Sequence, residues 1–155
     1  MTITFKAISD GREQPRVSET KQIFGNANPV GSGVTYVNVT SSTVFSDKID
    51  MFRYNNIACE VDTIMGSGTD CIELVLEYSS DGENFGKETA ENFAEEAGSI
   101  LMEALPRRFR TSERKHFPIT FIGSRFVQFG HRVPVGCSGV GTQIAMSVNL
   151  YETEQ

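Results

Sequence analysis

Near the C-terminus Ile144, Met146, Val148 and Leu150 fall on one side of an extended chain, while Gln143, Ser147 and Asn149 fall on the other. A repeat of two marks a strand with one face on a core and one in water, and winding it into a helix would scatter its apolar side chains. The same period runs through residues 57–63, where Ile57, Cys59, Val61 and Thr63 alternate with Glu60 and Asp62. It recurs in 71–78, with Ile72, Leu74, Leu76 and Tyr78 expected inside and Glu73 and Glu77 outside. Phe117, Ile119 and Phe121 repeat it, and Val127, Phe129 and Val133 share one face of a further run. β-Branched and aromatic residues crowd 34–45, and residues 2–8 suit an opening edge strand. About seven short strands with glycine turns between them predict an all-β, antiparallel sandwich. Its core is expected to include Ile72, Leu74, Leu76, Val127, Phe129, Ile144, Met146, Val148 and Leu150.

Two connections flank the run 71–78. Residues 65–70, with Gly66 and Gly68, suit a hairpin back to the preceding strand. Residues 79–84 end the run, with Asp81 and Gly82 supplying the positive φ angle that a tight turn needs.

One segment departs from the period of two. In residues 89–105, Phe93, Ala97, Ile100, Leu101 and Ala104 stand at near-helical spacing among Glu91, Glu95 and Glu96, which predicts one short helix at least to Ala97. Beyond Gly98, residues 99–105 fit a strand equally well. Residues 9–32 are polar and interrupted by Gly11, Pro15, Gly25, Pro29 and Gly31, and read as an extended N-terminal arm or long loop. The organisation expected is an edge strand and arm over 1–32 and a sandwich domain over 33–155.

At 155 residues the chain can bury a core without metal or disulfide staples. Its 14 Lys and Arg against 20 Asp and Glu leave a net charge of −6, which argues against nucleic acid and anionic lipid as partners. No leading apolar segment and no run of about 18 apolar residues marks export or a membrane span, so a cytosolic origin is expected. The three cysteines, Cys59, Cys71 and Cys137, form no CxxC pair. Cys59 and Cys71 could face each other on neighbouring strands, but in a reducing compartment thiols are expected.

Catalytic chemistry finds little support. The two histidines, His116 and His131, lack neighbours at metal-ligand spacing, and no helix N-terminus follows Cys137 to activate its thiol. The carboxylates Glu60 with Asp62, and Glu73 with Glu77, could hold calcium or serve as a glycosidase pair, but the wet face of a sandwich accounts for them. No catalytic, cofactor-binding or metal-binding residue is therefore assigned. The basic group Arg107, Arg108, Arg110, Arg114, Lys115 and His116 is dense for an acidic protein, and is expected either to lie solvated or to dock on acidic surface of a neighbour. In the arm, Val17, Ile23, Phe24 and Val30 are spaced to reach shallow pockets on adjoining subunits; the alternative is an arm packed on its own sandwich.

A resemblance adds a candidate role. Residues 74–85, a strand ending in Ser79-Ser80-Asp81-Gly82-Glu83-Asn84-Phe85, resemble a hairpin of discoidin-like jelly rolls, and Ser124-Arg125-Phe126-Val127-Gln128-Phe129 is similar to its later partner strand. The pairing, with the glycine-rich turn and closing strand that follow, looks like small tailed-phage virion proteins of the head decoration or cement type. The resemblance spans roughly residues 57–151 and implies a jelly-roll-like sandwich that works through protein surfaces. It implies a homo-oligomeric, non-enzymatic subunit contacting capsid or other virion proteins, assembled in a host cytoplasm and carried on the virion. A carbohydrate-binding adhesin or tail-tip module is the alternative, weakened by the absence of Trp for sugar stacking.

Overall fold

The structure, a computed structural model, describes residues 18–29, 31, 33–67, 69–87, 107–120 and 122–152. The strands are β1 (Ser18–Phe24), β2 (Val37–Asn38), β3 (Val44–Phe45), β4 (Ile49–Asp50), β5 (Asn56–Ile64), β6 (Ile72–Ser79), β7 (Gly86–Lys87), β8 (Arg107–Phe109), β9 (Arg114–Ile119), β10 (Phe126–Arg132) and β11 (Gln143–Tyr151). They make two sheets in which every strand pair is antiparallel. The first runs β1-β11-β5-β9, with β2 continuing the β1 edge along β11. The second runs β3-β10-β6-β7, with β4 beside β3 along β10 and β8 beside β7 along β6. This is the expected all-β sandwich.

Its interior follows from the alternation. In β11, Ile144, Met146, Val148 and Leu150 are buried, and in β5 Ile57, Cys59 and Val61 meet them across the ladder, Met146 opposite Val61 and Val148 opposite Cys59. From the second sheet Ile72, Leu74, Leu76, Val127 and Phe129 complete the same core. Each such aliphatic side chain contributes about 1.5–3 kcal/mol when removed from water, so the expected core residues hold the two sheets together.

The connection 65–71 is not the expected hairpin. It carries the chain from β5 in the first sheet to β6 in the second, so the two runs lie in different sheets. The cysteines are also paired otherwise than expected. Cys71, at the end of this connection, is disulfide-bonded to Cys137 in the β10–β11 loop, with Cα atoms 5.7 Å apart, while Cys59 is free and buried. Cys59 and Cys71 are kept apart because strand alternation aims Cys59 into the core of the first sheet.

The arm is partly a strand. Residues 18–24 pair along β11 from Ser18 opposite Tyr151 to Phe24 opposite Met146, with a bulge between Gln22 and Phe24. A polar edge strand needs only its backbone to join a ladder, which is why composition reads as a loop there. Similarly 34–45 is not one strand: β2 and β3 fall in different sheets and the chain crosses between them. Glu73 and Glu77, expected in water, are 4% and 6% exposed, because β6 lies between β10 and the β7–β8 edge and each carboxylate is engaged there. Glu73 accepts from Arg108 at 3.0 Å and from Arg132, and Glu77 accepts from Gln128 at 2.8 Å. The expected opening strand at 2–8, the helix within 89–105 and Phe121 lie outside the described residues.

Candidate interaction surface

The basic cluster of the sequence is divided by the fold. Arg107 opens β8 opposite Leu74, Arg108 follows opposite Glu73, and the chain then crosses to the first sheet, where Arg114 begins β9 opposite Asp62. Neighbours in sequence thus serve opposite faces of the sandwich. Arg108 donates through Nε to Glu73, while Arg110 lies exposed between the strands. Burial raises the pKa of the Glu73 carboxyl, but hydrogen bonds from Arg132 and Arg108 outweigh it and the balance is downward. A buried carboxylate between two guanidiniums is an ion pair that costs several kcal/mol to break from one side.

On the first sheet Arg114 organises a second network. Its guanidinium donates to Glu60 at 3.1 Å, Asp62 at 3.3 Å and the Asn28 side-chain carbonyl at 2.6 Å. Asn28 in turn donates to Glu60, and the Tyr36 hydroxyl donates to Asp62 at 2.9 Å. His116 places Nδ1 3.6 Å from Glu60. Burial pushes Glu60 up, and Arg114 and Asn28 pull it further down, so it stays ionised. A glycosidase acid must instead hold its proton near neutral pH, through a raised pKa.

This network is roofed by the segment after β1. Asn26 and Thr35 exchange backbone hydrogen bonds of 2.9 and 3.1 Å, and the Ala27 amide donates to Ser147 Oγ on β11 at 3.1 Å. Gly25, at φ +55°, allows the turn: a Cβ there would stand 2.0 Å from the Thr35 carbonyl oxygen. This flap, residues 25–29 with 33–36, so covers part of the outer face of the first sheet.

Of the arm residues, Val17 and Val30 lie outside the described residues and Ile23 packs half-buried against the core. Phe24 is 5% exposed within its own sandwich, its ring edge-on to His131 at 4.4 Å, so the pocket it fills belongs to its own chain and not to a neighbour. The cause is the bulge, which turns Phe24 inward at the end of β1.

Sequence reasoning passed over the β10–β11 loop as a turn. There Val135 is fully exposed and Val140 is 83% exposed, with Cys137 between them. The loop is held at several points: by the disulfide to Cys71, by the Ser138 amide donating to the Thr69 carbonyl at 3.2 Å, and by the Cys137 amide to Pro134 at 3.2 Å. Asp70, itself buried, accepts from the Ser67 amide and hydroxyl at 2.7 and 2.9 Å and so shapes the opposing loop. The available signal was local: glycines at 136, 139 and 141 break the period that would bury a valine. Three of the four tyrosines are engaged within the fold. Tyr36 and Tyr54 are bonded to Asp62 and Glu19, and Tyr78 packs against the core. Among the described residues no three His, Cys, Asp or Glu side chains converge as a metal site.

No family model and no curated protein matches the sequence. Among solved structures, the chain is similar to a protein described under "Bacillus endospore appendages form a novel family of disulfide-linked pili", at TM-score 0.46 and 8% identity over 98% of this chain and all of that one. A second likeness is to the secreted serine protease VesC from Vibrio cholerae, at TM-score 0.38 and 7% identity, covering 87% of this chain but 24% of that one. A third is to the Yersinia pseudotuberculosis-derived mitogen, at TM-score 0.31 and 9% identity, over 92% and 90% of the two chains. With every TM-score below 0.5 and every identity below 10%, the roles of these proteins do not carry over to this chain.

Proposed function

We propose that this protein is a non-enzymatic structural subunit of a particle surface, of the decoration type found on tailed-phage heads, and that it attaches through protein contacts at its cross-linked loop end. The observation that carries the reading is the pair Val135 and Val140, exposed on a loop that the Cys71–Cys137 disulfide ties to the sandwich. Single exposed apolar residues are ordinary, but two within six positions on one braced loop present a preorganised contact with little ordering left to do on binding.

Three further features support it. Strands that share one edge, β1 with β2, β3 with β4 and β7 with β8, can be counted as single ranks. The sheets then read 1-8-3-6 and 2-7-4-5 in chain order, which supports a jelly-roll reading, an architecture used by viral capsid domains. Disulfides persist on virion and cell surfaces and are rare inside a reducing cytosol, which favours a protein that ends outside the cell that made it. Glu60 and Glu73 are held ionised by arginines, which suits structural ion pairs better than acid catalysis.

The edges favour contact through loops. β9 presents Arg114, Lys115, His116 and Pro118, and β1 carries Glu19, Lys21 and a bulge, devices that blunt pairing of edge to edge. Attachment is tested by producing the wild type and Val135→Ser/Val140→Ser in the cells that make the particle. In purified particles, wild type is expected at a fixed stoichiometry. The double variant, with an unchanged melting temperature, is expected to fall at least about tenfold, the equivalent of 1.4 kcal/mol. Equal incorporation of both, absence of the chain from particles, or specific glycan binding by the wild type would each sink the reading.

A further inference from the structure

Among the ionisable side chains buried in the described residues, Asp70, Glu73 and Glu77 all have hydrogen-bond donors, whereas His131 is 1% exposed with Nδ1 lacking any partner. His131 points into the sandwich from β10, and its ring meets Phe24, the last residue of β1, at 4.4 Å with planes 84° apart. Phe24 is the inward anchor of the β1 edge strand and leads directly into the flap through Gly25.

We propose that His131 is an acid-sensitive latch: a proton added to its ring dislodges the Phe24 anchor, freeing β1 from the edge of the first sheet and the flap from its outer face. This is independent of the particle reading above. Among the described residues the surroundings of the ring offer no counter-charge. Opposite His131 stand Leu74 on β6 and Val44 on β3, and across the sheets Phe24 on β1 with its ladder partner Met146 on β11. The charged pair beside it, Arg132 next in sequence on β10 and its ladder partner Glu73 on β6, is bonded to itself on the outer face of the second sheet. The remaining titratable group of the core, the Cys59 thiol on β5, carries no charge in acid. An imidazolium there would lose its hydration, and the face or edge of one phenyl ring returns less than that loss.

The sign follows from burial, which lowers the His131 pKa below its ordinary 6.5. Unfolded or opened chain then takes up the proton first, so stability is whole above about pH 6.5 and falls as the pH drops below it. The test is equilibrium unfolding in denaturant at pH 7.5 and 5.5 for the wild type and His131→Phe, with amide exchange at both pH values. The unfolding constant of the wild type is expected to rise about tenfold more than that of the variant between the two pH values. Amides of residues 19–27 should lose protection in acid while those of β5 keep theirs. The same pH dependence in both proteins, or unchanged protection of β1 at pH 5.5, overturns the latch. Should His131→Phe fail to fold, ring titration by nuclear magnetic resonance in the wild type decides. A ring midpoint below 6.5 coinciding with loss of β1 protection supports the latch, and a ring that titrates with β1 unmoved refutes it.

Discussion

On leaving β6 the chain turns through residues 79–85, and on reaching it the chain has come through residues 65–71; both connections are built round an aspartate and a glycine. In the first, Asp81 accepts from the amides of Glu83 and Asn84 at 2.8 and 2.9 Å, from the Asn84 side chain and from Ser79 Oγ, while Gly82 sits at φ +79°. The partners of the aspartate itself lie within six residues; from outside the turn, Lys48 Nζ donates to the Gly82 carbonyl at 3.2 Å. In the second, Asp70 likewise gathers Ser67, but the loop is placed by distant chain: Cys71 bonds Cys137, Ser138 bridges to Asp70, and Gly66 passes against the Val140 carbonyl. A local turn is specified by its own hydrogen bonds, whereas a crossover between sheets needs a partner from elsewhere in the fold.

The comparison can be broken at four points. Removing the disulfide by Cys71→Ser/Cys137→Ser, which opens a closure of 66 residues, is expected to cost about 2–5 kcal/mol in denaturant unfolding, with reduced wild type behaving alike. Stability equal to the wild type would show that the crossover holds itself. Gly66→Ala comes next, at about 1–3 kcal/mol, because its Cβ would stand 2.1 Å from the Val140 carbonyl oxygen and backbone must move. Gly82→Ala should cost less, about 1 kcal/mol, since its left-handed φ resists a side chain but the nearest atoms, Lys48 Nζ and the Phe126 ring at 3.1–3.3 Å, belong to side chains that need give only a few tenths of an ångström. A larger loss at Gly82 than at Gly66 would reverse the ranking of the two connections.

The smallest effect belongs to Asp81→Asn. The amide and side-chain donors of Asn84, with the amide of Glu83, hold the Asp81 carboxyl well below the usual carboxylate range. Its folded pKa being depressed, its contribution is present above the unfolded pKa of about 3.9 and is lost as the pH falls through the folded value. The variant should therefore differ slightly from wild type in melting temperature at neutral pH, and the gap should close in strong acid. A gap independent of pH would place the role of Asp81 outside its charge.

Much of the second sheet was readable in advance at Leu74, Leu76, Val127 and Phe129, since the alternation that places them inside is set by the strand backbone alone. Glu73 and Glu77 stand in the same run and were misread, because a period of two separates faces and says nothing of what covers the outer one. The basic cluster is divided between the two sheets for a related reason. The chain crosses between sheets after β8, and Arg108 and Arg114 are spent on carboxylates that lie 35 and 54 positions away.

What the sequence by itself determined was therefore the local and the periodic: strands where apolar residues alternate, a tight turn at Asp81 and Gly82, and the members of the core. Tertiary structure decided which sheet each strand joined, that Cys71 should meet Cys137 and not Cys59, that polar residues 18–24 should form an edge strand, and that Val135 and Val140 should stand in water. The physical reason is that backbone hydrogen bonds are available to any residue, so their partners are chosen by the packing of the whole chain and leave little mark on the residues that make them.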